Sequence, residues 1–599
     1  STLDGIIARD AVYTAVARCR DQLDPSMLEA ADEDAQQNTC MTVAIHERLI
    51  PEAATRDAGP AWLILRRRIA WMLWEWSEYV TKPVRSGAYA LLVQLLQQAP
   101  GYSDAAVHLA AARTVAALAD TLDFDEMEFL PFLQDALAAL VYALSHELEE
   151  IDSIRTMANA LTVVIERMGL HIQPYAAMLA ELVTTLWARD DPEARAKPSL
   201  LEFLSKLVDT CAPGMDGDLL VRMHALIAHV VQASLAPAYA PLLGQDALLL
   251  WAHTMQATPR MTPALMELLC MAPELVAQPD FGSLMCRTWE DYVLLVPNEI
   301  LHHFGLAFYG ALAPIVADPT SSIILAPLCA VRTHIRTLDA AGLCTLAEQL
   351  HVTGLGRAII DTLYRDETSA VVQACILLIS QLAIKMPAPH FHELVRACAP
   401  KEPPVWPTVC TCMIKKGQDM ALTRYRKLVA LGLASMLKGS SSSSNSISAD
   451  GSMAPHPDAS LLTCIPRIIG LWTEVLGEVV EDDSGNSTVY KREPSPDRPL
   501  DAMQDDFIHM DQCVGEATWQ ESMSPGAERL EAFRTQDPAF TVPIRAFLAD
   551  TLNKVLQANP ANTPQGLELH QQLQQMDPLV LDMLQRDLNQ PAANTQNPA

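Results

Sequence analysis

Along residues 114–144, "TVAALADTLDFDEMEFLPFLQDALAALVYAL", apolar positions recur three and four apart. Val115, Leu118 and Leu122 make one stripe; Leu130, Leu133, Leu137, Leu140, Val141 and Leu144 make a second. That is the period of an amphipathic helix. The pattern predicts two helices meeting at a bend, and the same spacing fills most of the chain without sustained strand-like alternation.

The helices repeat. Arg68 in "LRRRIAWMLWEW", Arg113 in "LAAARTVAAL", Arg155 in "IDSIRTMANAL" and Lys197 in "ARAKPSLLEFL" follow one another at 45, 42 and 42 positions, each opening a similar apolar run. A second register places Pro131 and Pro174 43 apart. A period of about 40–47 with two helices per unit is the signature of HEAT or armadillo arrays. One helix pair cannot bury its own apolar face, so pairs stack. The predicted fold is all-α: a right-handed α-solenoid of HEAT repeats, antiparallel helix pairs in a superhelical array. Each of the four basic residues is expected to begin the second helix of a hairpin.

The array is expected to span 1–437, and its repeat grows irregular after about Ala257. A Ser-rich insert at 438–460 and an acidic insert at 481–506 cannot bury a core and are expected to be disordered. A HEAT helix at 461–480, C-terminal HEAT helices at 507–588 and a disordered tail at 589–599 complete the organisation. The chain opens on Ser1 and enters helical pattern almost at once, as a fragment lacking upstream sequence would.

Charge changes the picture next. Across 599 residues, 42 Lys and Arg face 72 Asp and Glu, a net charge of −30. Phosphate contacts need cations, so this balance argues against nucleic acid or an anionic membrane as the general partner and suits a basic one. The 13 cysteines are scattered and include no CxxC, which fits small core thiols in a reducing compartment. No secretory signal opens the chain. Residues 223–243 come nearest to a membrane span but carry His224, His229, Pro237 and Pro241, and read as helix plus loop.

No catalytic or metal constellation stands out, so neither enzyme chemistry nor a cofactor is expected. His146-Glu147 and His392-Glu393 begin like HExxH, but Glu150 and Arg396 stand where the second histidine belongs. Cys398, Cys410 and Cys412 lack a fourth ligand at zinc spacing. The basic run at 415–427 reads as a solvated helix face, with contact to an acidic partner the alternative. Trp71 and Trp74 share a face at three-residue spacing; core packing is the preferred reading and a peptide groove the alternative. The four carboxylates Asp123, Asp125, Glu126 and Glu128 crowd the bend with no base beside them in sequence. Asp123 or Asp125 can cap the next helix. The set is the candidate contact for a basic partner.

The stretch "TVAALADTLDFDEMEFLPFLQ" resembles the importin-β (karyopherin-β) nuclear transport receptors, many of which carry an acidic turn before a Phe-Leu-Pro helix start. "LRRRIAWMLWEW", "LTVVIERMGLHIQPYAAMLAELVTTLW" and "GQDALLLWAHTMQATPRMTPALMELL" are similar to the importin-eleven, or Kap120-like, branch. The similarity is densest over 65–269 and fades afterwards. It implies a cargo carrier shuttling between cytoplasm and nucleus, with protein cargo, FG-nucleoporins and the GTPase Ran as partners. The family's main Ran surface lies in N-terminal repeats, which nothing here matches, so the resemblance implies a C-terminal part. A cytosolic HEAT scaffold is the alternative class.

Overall fold

The computed structural model describes residues 3–19, 40–55, 59–97, 103–189, 191, 193–365, 370–400, 403–441, 459–481, 488–490 and 525–589. The chain divides into two compact units, Ser1–Leu265 and Met266–Ala599.

Among the described residues the first unit is built from α1 (Leu3–Arg18), a continuous helical run from Cys40 to Ala54 with a wider turn at Ile45–Leu49, α2 (Trp62–Glu75), α3 (Lys82–Leu96), α4 (Ala105–Ala119), α5 (Glu126–Tyr142), α6 (Ile151–Met168), α7 (Ala176–Trp187), α8 (Lys197–Cys211), α9 (Gly217–Ser234) and α10 (Ala240–Ala257). They alternate between two rows. First helices α3, α5, α7 and α9 each form a hairpin with the second helices α4, α6, α8 and α10, and the second helices stack on one another in order from α2. Second-row starts fall 43, 46, 46 and 43 residues apart, so the repeat read from the sequence is real. Arg68, Arg113, Arg155 and Lys197 all sit in this second row. Only Lys197 begins its helix; Arg68 and Arg113 lie mid-helix, because the basic positions mark the row rather than the helix start.

The rows bury different amounts, and the residue patterns show why. Helix α5 buries Phe129, Leu133, Ala136, Leu137 and Leu140, a single stripe. Helix α6 buries Ile154, Met157, Ala158, Leu161, Val164, Ile165 and Met168, together with Ser153, Ala160 and Thr162, because neighbours press on several sides. Successive first helices are tied by aromatic contact: Tyr89 of α3 meets Phe129 of α5 edge-on at 4.9 Å between ring centroids. The apolar stretch at 223–243 is the end of α9, a turn and the start of α10, as the histidines and prolines indicate.

The second unit keeps one continuous row: α11 (Pro279–Leu295), α13 (Leu325–Thr337), α16 (Ala370–Lys385), α19 (Thr423–Ser441) and α22 (Ile544–Ala558). Its other side is busier. Helix α12 (Leu306–Ala317) precedes α13; α14 (Ala340–Val352) and α15 (Leu355–Leu363) precede α16; α17 (Ala388–Cys398) and α18 (Val405–Gln418) precede α19. A third helix in these repeats breaks the two-helix pattern and, between α16 and α19, stretches the row spacing to 53 residues, which is why the sequence repeat blurs there. Trp289, Trp406 and Trp472 are fully buried, and Trp289 stacks flat on Phe308.

Several sequence boundaries need correction. Helix α19 runs through Ser441 and a short helix covers Ala459–Leu462, so both edges of the insert at 438–460 are helical; 442–458 lie outside the described residues. Helix α20 (Ile465–Glu478) gives way to β1 (Val479–Glu481), which pairs antiparallel with β2 (Thr488–Tyr490) in the register Val480↔Val489. The acidic insert at 481–506 therefore opens on strand: β-branched residues flank a turn-forming Asp/Ser/Gly/Asn composition. Helices α21 (Pro525–Thr535), α23 (Pro564–Gln574) and α24 (Pro578–Asn589) fill the C-terminal region with α22. Residues 507–524 and the tail from 590 lie outside the described residues.

Candidate partner-binding surfaces

The acidic bend joins α4 to α5, between two hairpins. Helix α4 ends at Ala119, and Leu122, expected on its apolar stripe, is fully exposed in the turn. Asp125 is the cap: its carboxylate accepts the Met127 N–H at 2.9 Å. Glu126 and Glu128 occupy the first turn of α5, where the positive end of the helix favours them.

Bases do reach the bend, from other repeats. Arg85 of α3 is buried; its guanidinium binds the Asp123 carboxylate, donates to the Asp123 carbonyl at 2.9 Å and lies 3.5 Å from Glu128. Lys82 lies 3.5 Å from the other oxygen of Glu128. His171 lies 3.8 Å from Glu126. From the far side Arg167 of α6 donates to the carbonyls of Ala119 and Thr121, both at 2.8 Å, and sits over the Phe124 ring. Burial pushes the Asp123 carboxyl up, but hydrogen bonds from Arg85 and Thr121 and the Arg85 charge leave it below the ordinary value. Asp123 and Glu128 are thus committed within the fold. Glu126 is exposed and flanked by the exposed Met127.

This partition makes a prediction. Asp125→Ala removes the cap and should lower stability of the first unit by about 1 kcal/mol, whereas Glu126→Gln should change it by less than about 0.5 kcal/mol. Thermal unfolding of both variants checks it; equal losses would remove Asp125 from its role as the cap.

On the second-row face lies a trough of about 620 Å³ between α2, α4 and the start of α6. Trp71 and Trp74 form part of its wall, and Trp74 is 41% exposed. The core tryptophan of this helix is Trp76, not its two neighbours in the stripe. On the first-row face a shallower slot of about 260 Å³ opens between α3 and α5, lined by Leu96, Ala138, Ala139 and Tyr142 with Asp135 and Glu147 at its rim. Tyr142 is partly exposed and stacks on His146 at 4.6 Å.

The other sequence candidates are structural. His392 is buried against Trp406 at 4.7 Å, with a ring nitrogen 3.2 Å from the Met436 carbonyl. Cys410 is buried and meets Cys464 from the start of α20. Cys398 lies 3.9 Å from His351. The basic run at 415–427 is not a solvated face: Lys416 and Lys427 are buried, and Arg426 pairs with Glu478 at 2.7 Å. The Arg426 pair ties α19 to α20.

Two rows of stacked helix hairpins define an α-solenoid. Residues 198–589 match the family model described as Importin-11-like, TPR repeats, which is more than half of the chain. The chain belongs to the importin-11-like family, within the importin-β transport receptors. Importin-11 of Mus musculus is 26% identical over 324 residues, covering 53% of this chain and 31% of its own length. The importin beta-like protein kap113 of Schizosaccharomyces pombe is 21% identical over 554 residues, 90% of this chain and 50% of its own. The chain thus spans half or less of the curated relatives it matches. Among solved structures, Lph2, a bidirectional nuclear transport receptor of S. cerevisiae, superposes with a TM-score of 0.73 at 17% identity, covering 99% of this chain and 57% of that one. The family model lies mostly where the motif resemblance over 65–269 fades, so the family pattern continues through the less regular repeats.

Proposed function

We propose that this chain is the cargo-bearing part of an importin-like nuclear transport receptor. It carries protein cargo through the nuclear pore and releases it under control of RanGTP, with Ran's main contact in repeats upstream. The supporting observation is the match along nearly the whole chain to the fold of a nuclear transport receptor, joined to the family model. The receptor shuttles between cytoplasm and nucleus.

The acidic bend serves as a contact for a basic partner. Asp125 and Glu126 present charge beside Leu122 and Met127, while Arg85 and Lys82 offset much of the charge of Asp123 and Glu128, which form the weaker half of the contact. Each exposed pair contributes well under about 1 kcal/mol, but together the charges steer a basic surface and raise its association rate. The slot between α3 and α5 suits the Phe ring of an FG repeat, being shallow, apolar and set between adjacent first helices.

The test uses the full receptor, immobilised and loaded with basic protein from cell extract, with and without RanGTP. Release on adding RanGTP supports an importin; recruitment by RanGTP supports an exporter; indifference to RanGTP sinks the transport reading in favour of a scaffold. In the same assay Glu126→Gln should slow association and flatten its salt dependence. Ala138→Arg should block an FG-repeat peptide without altering basic-cargo binding; unchanged FG binding would reject the α3–α5 slot.

A further inference from the structure

The trough on the second row does not match the acidic character of the chain. Four guanidiniums converge on it, Arg67 and Arg68 from α2, Arg113 from α4 and Arg155 from α6. They do so in a protein of net charge −30. Two of them are already committed: Arg68 pairs with Asp10 of α1 at 2.7 Å, and Arg155 lies 3.5 Å from Asp152. The other two are not. Arg113 reaches only the Thr156 hydroxyl, at 3.4 Å. Among the described residues no carboxylate lies within ion-pair distance of Arg67 or Arg113. Both are exposed on the lining of the trough.

The walls are equally specific. On α2, Arg67, Trp71 and Trp74 stand four and seven residues apart, on one stripe. Facing them, Ala106 and Ala110 of α4 leave the space that larger residues would fill. Trp71 is held in place by the Arg68 guanidinium, 4.8 Å from its ring, and Arg68 in turn by Asp10. The apolar wall is therefore preformed, while Trp74 stands exposed beside it. An opening of about 620 Å³ lies in the range of small-ligand and peptide side-chain sites.

We infer that this trough docks a short acidic peptide segment of a partner protein, one with a large apolar side chain among its carboxylates. The carboxylates pair with Arg67 and Arg113, whose planar forks suit two-point contact. The apolar side chain seats over Ala110 against Trp71 and Trp74. Glu150 and Asp152 close the α6 end of the trough. That end repels a continuous polyanion but tolerates a segment whose negative charge is confined to one side, which favours peptide over single-stranded nucleic acid. The site is distinct from the acidic bend and does not depend on the transport reading, since neither Ran, an FG repeat nor a basic cargo takes part.

Fluorescence anisotropy on the purified chain tests this. The probe is a fluorescein-labelled peptide with a central Phe flanked by Glu and Asp; the comparisons are the same peptide with Gly for Phe, a Lys-for-acid counterpart and an oligothymidine strand. The parent chain should prefer the Phe peptide over all three. Arg67→Gln with Arg113→Gln should weaken it by roughly tenfold or more, and Trp74→Ala by roughly tenfold, as for anchor residues of interfaces. Trp74→Ala should leave the weaker Gly peptide unaffected, a coupling that general damage to the fold would not produce. All three side chains are exposed, and an unchanged melting temperature checks each variant. The inference is overturned if the parent does not bind the Phe peptide, if the folded variants bind it like the parent, or if oligothymidine binds more tightly and displaces it.

Discussion

Stability should fall steeply as pH drops from about 7 to 5, and in both units, because each buries a neutral histidine. His334 of α13 is fully buried. Its Nε2 lies 2.9 Å from the Pro297 carbonyl, which can only accept, so the ring hydrogen sits on Nε2. Nδ1 is then the acceptor for the Tyr309 hydroxyl. A second proton would make Nδ1 a donor and turn the Tyr309 hydroxyl into its acceptor, leaving the hydroxyl's own proton to find another partner in a fully buried setting. Burial lowers the pKa to about 4, with the Pro297 hydrogen bond opposing that shift. His224 of α9 is buried with Nδ1 3.1 Å from the Thr262 hydroxyl; burial first, then the Arg260 charge, lowers its pKa to about 4.

The direction follows from proton counts. Between about 6.5 and 4 the unfolded chain binds a proton that the folded histidine refuses. Stability is therefore complete above the unfolded value and is lost as pH falls through that window. Each histidine removes about 2 kcal/mol at pH 5 and about 3 kcal/mol near pH 4. Denaturant unfolding followed across this range should show the slope. His224→Gln should flatten it for the first unit and His334→Gln for the second. A parent chain equally stable at pH 7 and pH 5 would dismiss the argument, as would variants that keep the full slope.

The rows were legible in the sequence for a simple reason. A helix that stacks on its neighbours needs apolar residues at helical spacing, so α4, α6 and α8 announce themselves. The trough was hidden by the same rule. Trp71, Trp74 and Trp76 all look like core; only the placement of α4, with Ala106 and Ala110 opposite, decides that Trp76 is buried and Trp74 exposed. The acidic bend misled in another way. Arg85 stands 38 residues before Asp123 and Arg167 48 after Ala119, one repeat away on either side. In a solenoid the nearest neighbour in space is about one repeat away in sequence, so the bases that pair with this bend do not stand beside it along the chain. The strand pair at β1 and β2 is too short for alternation to register.

That one-repeat offset supports a further expected result: single bases near helix ends hold the stack together. Arg167, at the end of α6, donates to the last carbonyl of α4, at Ala119, and to that of Thr121 in the turn beyond it. Arg189, just past α7, reaches the wider helical turn that follows α5 (Ala143–Glu147), donating to Leu144 at 2.7 Å and Ser145 at 2.9 Å, and to Leu148 just past it at 2.7 Å. Lys385, at the end of α16, donates to Ile335, Arg336 and Leu338 at the end of α13. Arg365, past α15, reaches Ala317 of α12 at 3.3 Å in a more exposed setting. Each helix leaves carbonyls without partners at its C-terminus, where the helix dipole also favours a cation. The next repeat supplies both.

Arg189→Met and Lys385→Met keep the apolar stem and delete the donors. Each strands three carbonyls and should cost about 2–3 kcal/mol, the range for charge-assisted hydrogen bonds in part-buried sites. Arg365→Met, with one exposed bond, should cost less than about 1 kcal/mol. Because stability in a solenoid is a sum of repeat and interface terms, losing one interface term should also split the unfolding transition at that repeat. Calorimetry and hydrogen exchange read both effects, with protection expected to drop first in α5 for Arg189→Met and in α13 for Lys385→Met. If Arg365→Met costs as much as the other two, the loss reflects a surface charge rather than a bridge. If all three leave the transition intact, neighbouring repeats are coupled by their apolar faces alone.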